Sequence, residues 1–567
     1  MGTVSTKSRA RKARRARSGT LSPDDARSSS SSPLQKDTGA LSDYSGAQGE
    51  TLAWLWPSAS ILLLAVGAFL RLYDYSLKPF HHDEGVNGFF LINLFRNHVY
   101  HYDPSNYHGP TLYYFSLLTS LLFGLNDFAV RFVPALFGVA TIWLMLLLRR
   151  YIGTFGALAA AALLAVSPGA VFYSRYFIHE SHFVFFSVAM VVAALRYYET
   201  TRIVYLLLVA ASAALLFATK ETAMITAGVF IIALLCTEVY QRLRGTRGRA
   251  LEGGKKRRKQ QSRYGQQARP VKLGIHATLA RFGQTQDLIW YGAAALALFI
   301  LIHILFYSSF FTHAKGVNDS LATFKIWVRT GTSEFHAKPW GTYLYWLWQE
   351  ESLLLLLGLA GVMVAAVRAT NRFVVFVSFW ALGIIAAYSL VPYKTPWLVL
   401  NFIPPLVITG GYALNALYQH GGKGPTARAL ALAVLLLAVS VGSYQTVVLN
   451  FYQYDNEQYP YVYAHTQRGY LSLIKEIKGA AERAGTRGQT TISIASPDYW
   501  PMPWYLREFK SVAYPGRPGS HTEQIVVCNN SQEAECQAML GGRYRRAGSF
   551  PLRSGIMLVL YLRNDVP

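Results

Sequence analysis

The sequence predicts a polytopic α-helical membrane protein of about 11 transmembrane helices, with a small extracytoplasmic α/β domain at its C-terminal end. Three observations carry this. The 567 residues are 52% hydrophobic and only 15% charged. Apolar runs of about 17–22 residues recur from residue 52 to residue 447, the length a helix needs to cross a ~30 Å hydrocarbon layer. Beyond about residue 450 these runs stop, and amphipathic and β-type segments replace them.

Charge is distributed unevenly. The formal net charge is +24, and the basic residues cluster in the N-terminal tail (Arg9, Arg11, Lys12, Arg14, Arg15, Arg17) and in Lys255–Lys259 with Arg242 to Arg249 before it. On a polytopic chain such clusters orient the protein, because Lys and Arg are retained on the cytoplasmic side. They also suit anionic lipid at that face. Nucleic acid is therefore not expected as a partner.

Residues 1–50 are rich in Ser, Arg, Lys and Gly and have almost no aromatic residues, which predicts a disordered basic cytoplasmic tail. No cleavable signal peptide is evident at the start, so Leu52–Leu72 reads as a retained first span. The run Leu112–Leu125 is short for a crossing, and counting it as one would turn Arg149-Arg150 and the 255–259 cluster outward. It is read instead as a re-entrant or interfacial helix.

The transmembrane domain then covers 51–449, with spans near 52–72, 130–148, 155–173, 182–198, 203–219, 222–240, 287–309, 352–367, 373–391, 397–416 and 428–447. The N-terminus falls in the cytoplasm and the C-terminal domain outside a multi-pass cell-membrane protein. The first extracytoplasmic loop is about 73–129, the basic cytoplasmic loop about 241–285 and a second large outer loop about 310–351. Residues 450–567 form the α/β domain, with a helix at Gly469–Ala484 and strands at Thr491–Ala495, Gln524–Cys528 and Ile556–Leu562. Cys528 and Cys536 lie close enough in sequence for a disulfide, though spacing alone cannot set its geometry.

The first outer loop holds the densest chemistry. It reads His81-His82-Asp83-Glu84-Gly85 and ends Asn106-Tyr107-His108-Gly109-Pro110. Asp83 suits a helix N-cap with Glu84 in the first turn. Ionisable residues beside a membrane cavity also mark functional sites, and the two roles can share one residue. Elsewhere Lys220-Glu221 is an adjacent charge pair between two short spans, either a structural ion pair at a hairpin or part of a lipid-phosphate path. Tyr393-Lys394-Thr395-Pro396-Trp397 lies outside, where an extra Lys is not expected. Pro497–Tyr505 is aromatic and proline-rich, and is suited to docking the α/β domain onto the mouth of a site.

The order of these motifs resembles the GT-C glycosyltransferases. Asp83-Glu84 follows the first span, Tyr107-His108-Gly109-Pro110 comes next, and Phe123-Gly124-Leu125-Asn126-Asp127-Phe128-Ala129-Val130-Arg131 and Ser174-Arg175-Tyr176-Phe177-Ile178-His179-Glu180 continue the match. The branch it is most similar to contains protein mannosyltransferases and lipid A aminoarabinose transferases. More narrowly, His82–Gly88, Tyr393–Trp397 and Pro497–Pro501 resemble a prokaryotic family of flippase-activity-associated membrane proteins linked to surface glycosylation.

The resemblance implies a membrane glycosyltransferase of GT-C type, of the inverting kind in the sense that one direct displacement inverts the anomeric carbon. A sugar would pass from a polyprenyl-phosphate lipid to an extracytoplasmic acceptor, whether protein, lipid-linked glycan or envelope polymer. Asp83 would be the base or acceptor-orienting carboxylate, with Glu84 beside it and Glu180 as the second-loop acid, where the family usually has Asp. Lys394 and Arg175 would hold the donor phosphate. His82, Tyr107 and Trp397 are candidate substrate contacts. A divalent metal, Mn²⁺ or Zn²⁺, is a candidate cofactor, with His108 and the distant His336 as ligands. The competing reading is a non-enzymatic protein that assists flipping of lipid-linked oligosaccharide. Clustering of the polar residues on one face argues against it, because flipping needs a polar path across the bilayer. A secondary transporter is weaker still, since no repeated halves are evident.

Overall fold

A computed structural model describes residues 55–106, 108–256, 285–331, 337–420 and 425–567. The expected tail 1–50, most of the 241–285 loop, Tyr107 and His336 lie outside the described residues.

Helix α1 (Leu55–Leu72) leads into α2 (His82–Asn97), α3 (Thr111–Phe123) and α4 (Asp127–Leu147). Next come α5 (Thr154–Ala165), α6 (Pro168–Ser174), α7 (Glu180–Thr200), α8 (Ile203–Phe217) and α9 (Ala223–Lys256). They are followed by α10 (Thr285–Tyr307), α11 (Lys315–Gly331), α12 (Thr342–Arg368), α13 (Arg372–Leu390), α14 (Ile403–His420) and α15 (Pro425–Val447). Among the described residues, nine helices are long and apolar enough to cross a membrane, or ten if a bent pair counts as one span.

The differences from expectation have local causes. The 155–173 segment is not one straight helix: α5 and α6 meet at 57°. Pro168 cannot donate to the ladder, and Ser167 caps the new start by accepting from the Ala170 N–H. Glu351, itself non-helical within α12, accepts from Ser167 Oγ at 2.6 Å and from the Gly169 N–H at 2.9 Å. A carboxylate from a neighbouring span thus satisfies the groups that the break exposes. Helix α8 has only 15 residues. Helix α3 has 13, about 20 Å at 1.5 Å per residue, which is shorter than the hydrocarbon layer. The first part of the basic loop continues α9 to Lys256, because it contains no proline and is rich in helix-forming residues.

Helices α5 and α14 are almost wholly buried, and α14 packs between α5 and α12. The outer helices present large apolar side chains such as Ile61, Ile231, Leu235 and Leu296 outward, as lipid-facing surfaces require.

The C-terminal domain contains α16 (Tyr470–Arg483), the expected amphipathic helix, whose apolar face packs on the sheet. Strand β1 (Thr491–Ile494), the single turn α17 (Met502–Tyr505), β2 (Ser511–Ala513), β3 (Ile525–Asn529), α18 (Glu533–Leu540), β4 (Tyr544–Arg553) and β5 (Ile556–Arg563) complete it. The sheet order is β2-β1-β3-β5-β4, parallel around β1 and antiparallel around β5. Strands β2 and β4 were not evident in the sequence: β2 has three residues, and β4 carries Pro551 and exposed arginines on an edge where alternation is weak. Cys528 on β3 and Cys536 on α18 are paired as a disulfide.

The Pro497–Tyr505 stretch does dock this domain onto the loop and helix that follow α1. Trp504 is fully buried, stacks on Phe80 with centroids 4.8 Å apart, and donates its indole N–H to Asp127 at 2.8 Å. Tyr505 accepts from the Phe80 N–H at 2.9 Å. Gly88 permits the approach, since a Cβ there would lie 2.8 Å from the Trp504 ring.

Candidate functional site

The first turn of α2 separates its two carboxylates. The N-cap is His81, not Asp83 as the sequence suggested: His81 Nδ1 accepts from the Asp83 N–H at 3.1 Å, and Glu84 accepts from the His81 N–H at 2.9 Å. Capping by His81 leaves the Asp83 side chain 40% exposed, its nearest ionisable partner being His81 Nδ1 at 3.9 Å.

Glu84 turns inward and is completely buried. Arg131 donates to it from Nε at 2.7 Å and from a terminal nitrogen at 2.8 Å, and the Phe177 N–H adds a further bond at 2.8 Å. Arg131 also donates to the carbonyls of Tyr75 and Lys78. The loop after α1 is therefore wrapped around this guanidinium. Glu84 organises the site and does not line it.

Asp83 lines a cavity of about 530 Å³, together with His82, His108, Glu180, Trp397 and residues contributed by later segments. The cavity wall beside the membrane helices is built from sequence-distant charges. Lys220 donates to Glu180 at 2.5 Å, both side chains only 5% exposed. Burial is the largest influence on this ammonium and lowers its pKa, but Glu180 and Glu221 more than reverse it, so the pKa ends up raised and the group stays charged. His108 Nδ1 lies 3.2 Å from Glu221. Lys220 and Glu221 thus pair with different partners and not with each other. Gly109 brings these segments together: its N–H donates to the Thr219 carbonyl at 3.0 Å, and a Cβ there would come within 2.1 Å of the Ala218 oxygen.

On the other wall, His82 packs edge-on against Trp500 with centroids 6.1 Å apart. Burial pulls its pKa down to about 4, so its ring is neutral at ordinary pH. Trp397 meets His81 and Tyr463 edge-on. Arg553, from β4 of the C-terminal domain, also lines the cavity.

Two expected phosphate ligands lie elsewhere. Arg175 is buried and donates to the carbonyls of Leu70, Tyr73 and Asp74, capping the end of α1. Its neighbour Glu180 is engaged by Lys220. Lys394 is buried and donates to the Val391 carbonyl at 2.6 Å, while Tyr393 and Thr395 on either side of it line the cavity. Tyr107 and His336 are outside the described residues. Among the described residues no group of three or more His, Cys, Asp or Glu side chains is placed to hold a metal ion. Sequence reasoning missed Arg131, which sits at the end of a quoted motif, and Arg553, for which no local signal exists. It left Lys220-Glu221 between two readings.

A bundle of broken and short helices, an acidic loop after the first helix at a polar cavity, and an α/β domain docked over that loop make up a fold that solved membrane-protein structures share at low sequence identity. A family model described as dolichyl-phosphate-mannose-protein mannosyltransferase matches residues 107–252. ArnT from Cupriavidus metallidurans in the apo state superposes with a TM-score of 0.57 at 14% identity, covering 90% of this chain and 98% of that one. The same protein bound to undecaprenyl phosphate gives 0.54 at 14% identity, with coverage of 90% and 98%. The archaeal oligosaccharyltransferase AglB from Archaeoglobus fulgidus, in complex with an inhibitory peptide and a dolichol-phosphate, gives 0.52 at 13% identity over 86% of this chain and 71% of that one. No curated protein matches the chain by sequence.

Proposed function

We propose that this protein is an integral membrane glycosyltransferase that moves a sugar from a polyprenyl-phosphate donor to a hydroxyl of an extracytoplasmic acceptor, whether protein, lipid-linked glycan or envelope polymer. The observation that carries the reading is Asp83, a partly exposed carboxylate lining a cavity that the buried ammonium of Lys220 also lines. The undecaprenyl phosphate bound by ArnT and the dolichol-phosphate bound by AglB, two structural neighbours, support the donor class.

In this reading the acceptor oxygen attacks the anomeric carbon and its proton passes to Asp83. The bond between that carbon and the phosphate oxygen breaks, and the lipid phosphate leaves with the electron pair. Lys220 neutralises the charge that develops there. Glu180 holds the ammonium in place, and a single displacement inverts the anomeric centre. Lys220 takes the part that the sequence suggested for Lys394 and Arg175. The C-terminal domain and cavity face the outside, and the basic segments face the cytoplasm.

The test is transfer from a panel of radiolabelled polyprenyl-phosphate sugars by membranes containing wild type or Asp83→Asn. Transfer should fall by about 100-fold or more in the variant at equal protein level. Equal transfer by both would remove Asp83 from the mechanism. No transfer from any donor, with lipid-linked glycan accumulating inside cells that lack the protein, would favour the flippase-assisting role.

A further inference from the structure

The cavity has a second cationic group, and it comes from the other domain. Arg553 ends β4, where the pairing with β5 shifts register between Pro551 and Arg553. Such a bulge re-aims the side chains at a strand end. The bulge is clamped: the Leu552 carbonyl accepts from the Gln467 N–H at 2.9 Å, which fixes the strand end over the site. The Arg553 side chain is 17% exposed and meets Asp498 through one terminal nitrogen at 3.3 Å. Asp498 is also bonded by Asn529 at 3.3 Å. Arg553 Nε and His82 Nδ1 are both buried without a hydrogen-bond partner, and both residues line the cavity.

A guanidinium presents five donors in a planar fork suited to a carboxylate or phosphate. The single long contact to Asp498 uses little of that capacity. A donor carried on a membrane lipid places its phosphate on the Lys220 wall, between two spans. Arg553 is the C-terminal sheet's contribution to the cavity lining, separate in sequence from the Lys220 segment. His82, next to Asp83 in sequence, lines the same cavity as Arg553 and the proposed base. Trp500 packs edge-on against His82, and Trp397 and Tyr463 give the cavity lining the aromatic surface that ligand sites use.

We infer that Arg553 and His82 form an acceptor subsite for an anionic sugar, one carrying a carboxylate or a phosphate, and that Arg553 is a specificity-determining residue. The inference rests on the glycosyltransferase reading for its role in turnover, but not for binding. The subsite positions a glycan hydroxyl beside Asp83 through an anionic group on the same or the adjacent ring.

Two measurements test it on the full-length protein in detergent. Binding is followed by tryptophan fluorescence with methyl glucuronide, glucose 6-phosphate and methyl glucoside as probes. Wild type should bind at least one anionic probe about tenfold more tightly than methyl glucoside, and Arg553→Gln should lose that preference while Arg553→Lys keeps part of it. The relative response to glucuronide and glucose 6-phosphate identifies which anion the subsite takes. Equal binding of all three probes by wild type, or an unchanged preference in Arg553→Gln, would overturn the inference. In the transfer assay, Arg553→Gln should raise the KM for an anionic acceptor and leave the donor KM unchanged. A raised donor KM with an unchanged acceptor KM would place Arg553 at the donor phosphate and overturn it as well. Absence of transfer by wild type, with Arg553-dependent binding of an anionic sugar retained, would overturn the catalytic reading alone.

Discussion

Glu84 and Arg131 face each other through two contacts of 2.7 and 2.8 Å, with neither side chain reachable by solvent. Among the described residues the neighbouring Asp83 makes no comparable ion pair, and it lines the cavity. One turn of helix therefore holds a structural carboxylate and a chemical one side by side. Two consecutive residues on a helix point about 100° apart, and that angle is sufficient to send one to a buried guanidinium and the other to the site.

Glu84→Gln should cost stability and not only activity. It strands the Arg131 guanidinium in a buried position, a class of change that costs about 3–5 kcal/mol. Asp83→Asn should leave the thermal midpoint in detergent almost unchanged. Glu84→Gln with Arg131→Met should recover part of the loss, since both charges are then gone. Equal thermal midpoints for Glu84→Gln and wild type would show that the pair is not structural.

Lys220 and Glu180 give a different pattern. Lys220→Met leaves Glu180 buried and unpaired, and should destabilise by about 3 kcal/mol or more. The double variant Glu180→Gln, Lys220→Met should regain stability but not transfer, because the ammonium assigned to the phosphate is absent. Stability measured by thermal unfolding and transfer measured with saturating acceptor separate the two effects. Restored transfer in the double variant would remove Lys220 from the donor site.

Gly88→Val should loosen the C-terminal domain. The new side chain meets the Trp504 ring, where even a Cβ lies 2.8 Å away, and overpacking of this kind costs about 1–3 kcal/mol. Limited proteolysis between residues 450 and 567 should become faster, while helical circular dichroism from the membrane domain is retained. Unchanged cleavage would mean that the docking survives by repacking.

Acid should destabilise the region around α2 through two histidines. Burial is the leading cause that lowers His82 to about 4 and lowers His465 well below the ordinary imidazole value. Both are neutral in the folded protein while the unfolded chain protonates them near 6.5. The unfolded state therefore binds more protons below that pH, and stability falls as pH drops from about 6.5 towards 4. Unfolding should take up about one proton per histidine in that window. The slope of thermal midpoint against pH should flatten in His82→Gln and flatten further when His465→Gln is added. An identical slope in wild type and both variants would assign the acid sensitivity to other groups.

Much of the architecture follows from local pattern. Each of the eleven expected spans falls on helix among the described residues, although 155–173 is broken and 203–219 is shorter than expected. The resemblance to GT-C enzymes, drawn from Asp83-Glu84 and the motifs after it, holds at the level of the fold. Less of the candidate site was legible. Asp83, His82, His108, Glu180 and Trp397 line the cavity, but Arg175 and Lys394 do not, because each donates to backbone carbonyls at a helix end or loop.

The sequence by itself determined which segments are apolar enough to enter a membrane, where the acidic loop follows the first of them, and which aromatic stretch would dock the last domain. These properties depend on residues near one another in the chain, and hydropathy and capping are local. Tertiary structure alone decided that Glu84 belongs to Arg131, Lys220 to Glu180, His108 to Glu221 and Arg553 to the cavity. Those choices join residues 40 or more positions apart. A buried charge takes whichever partner the packing brings within about 3 Å, because leaving it unpaired costs more than any local preference can offset.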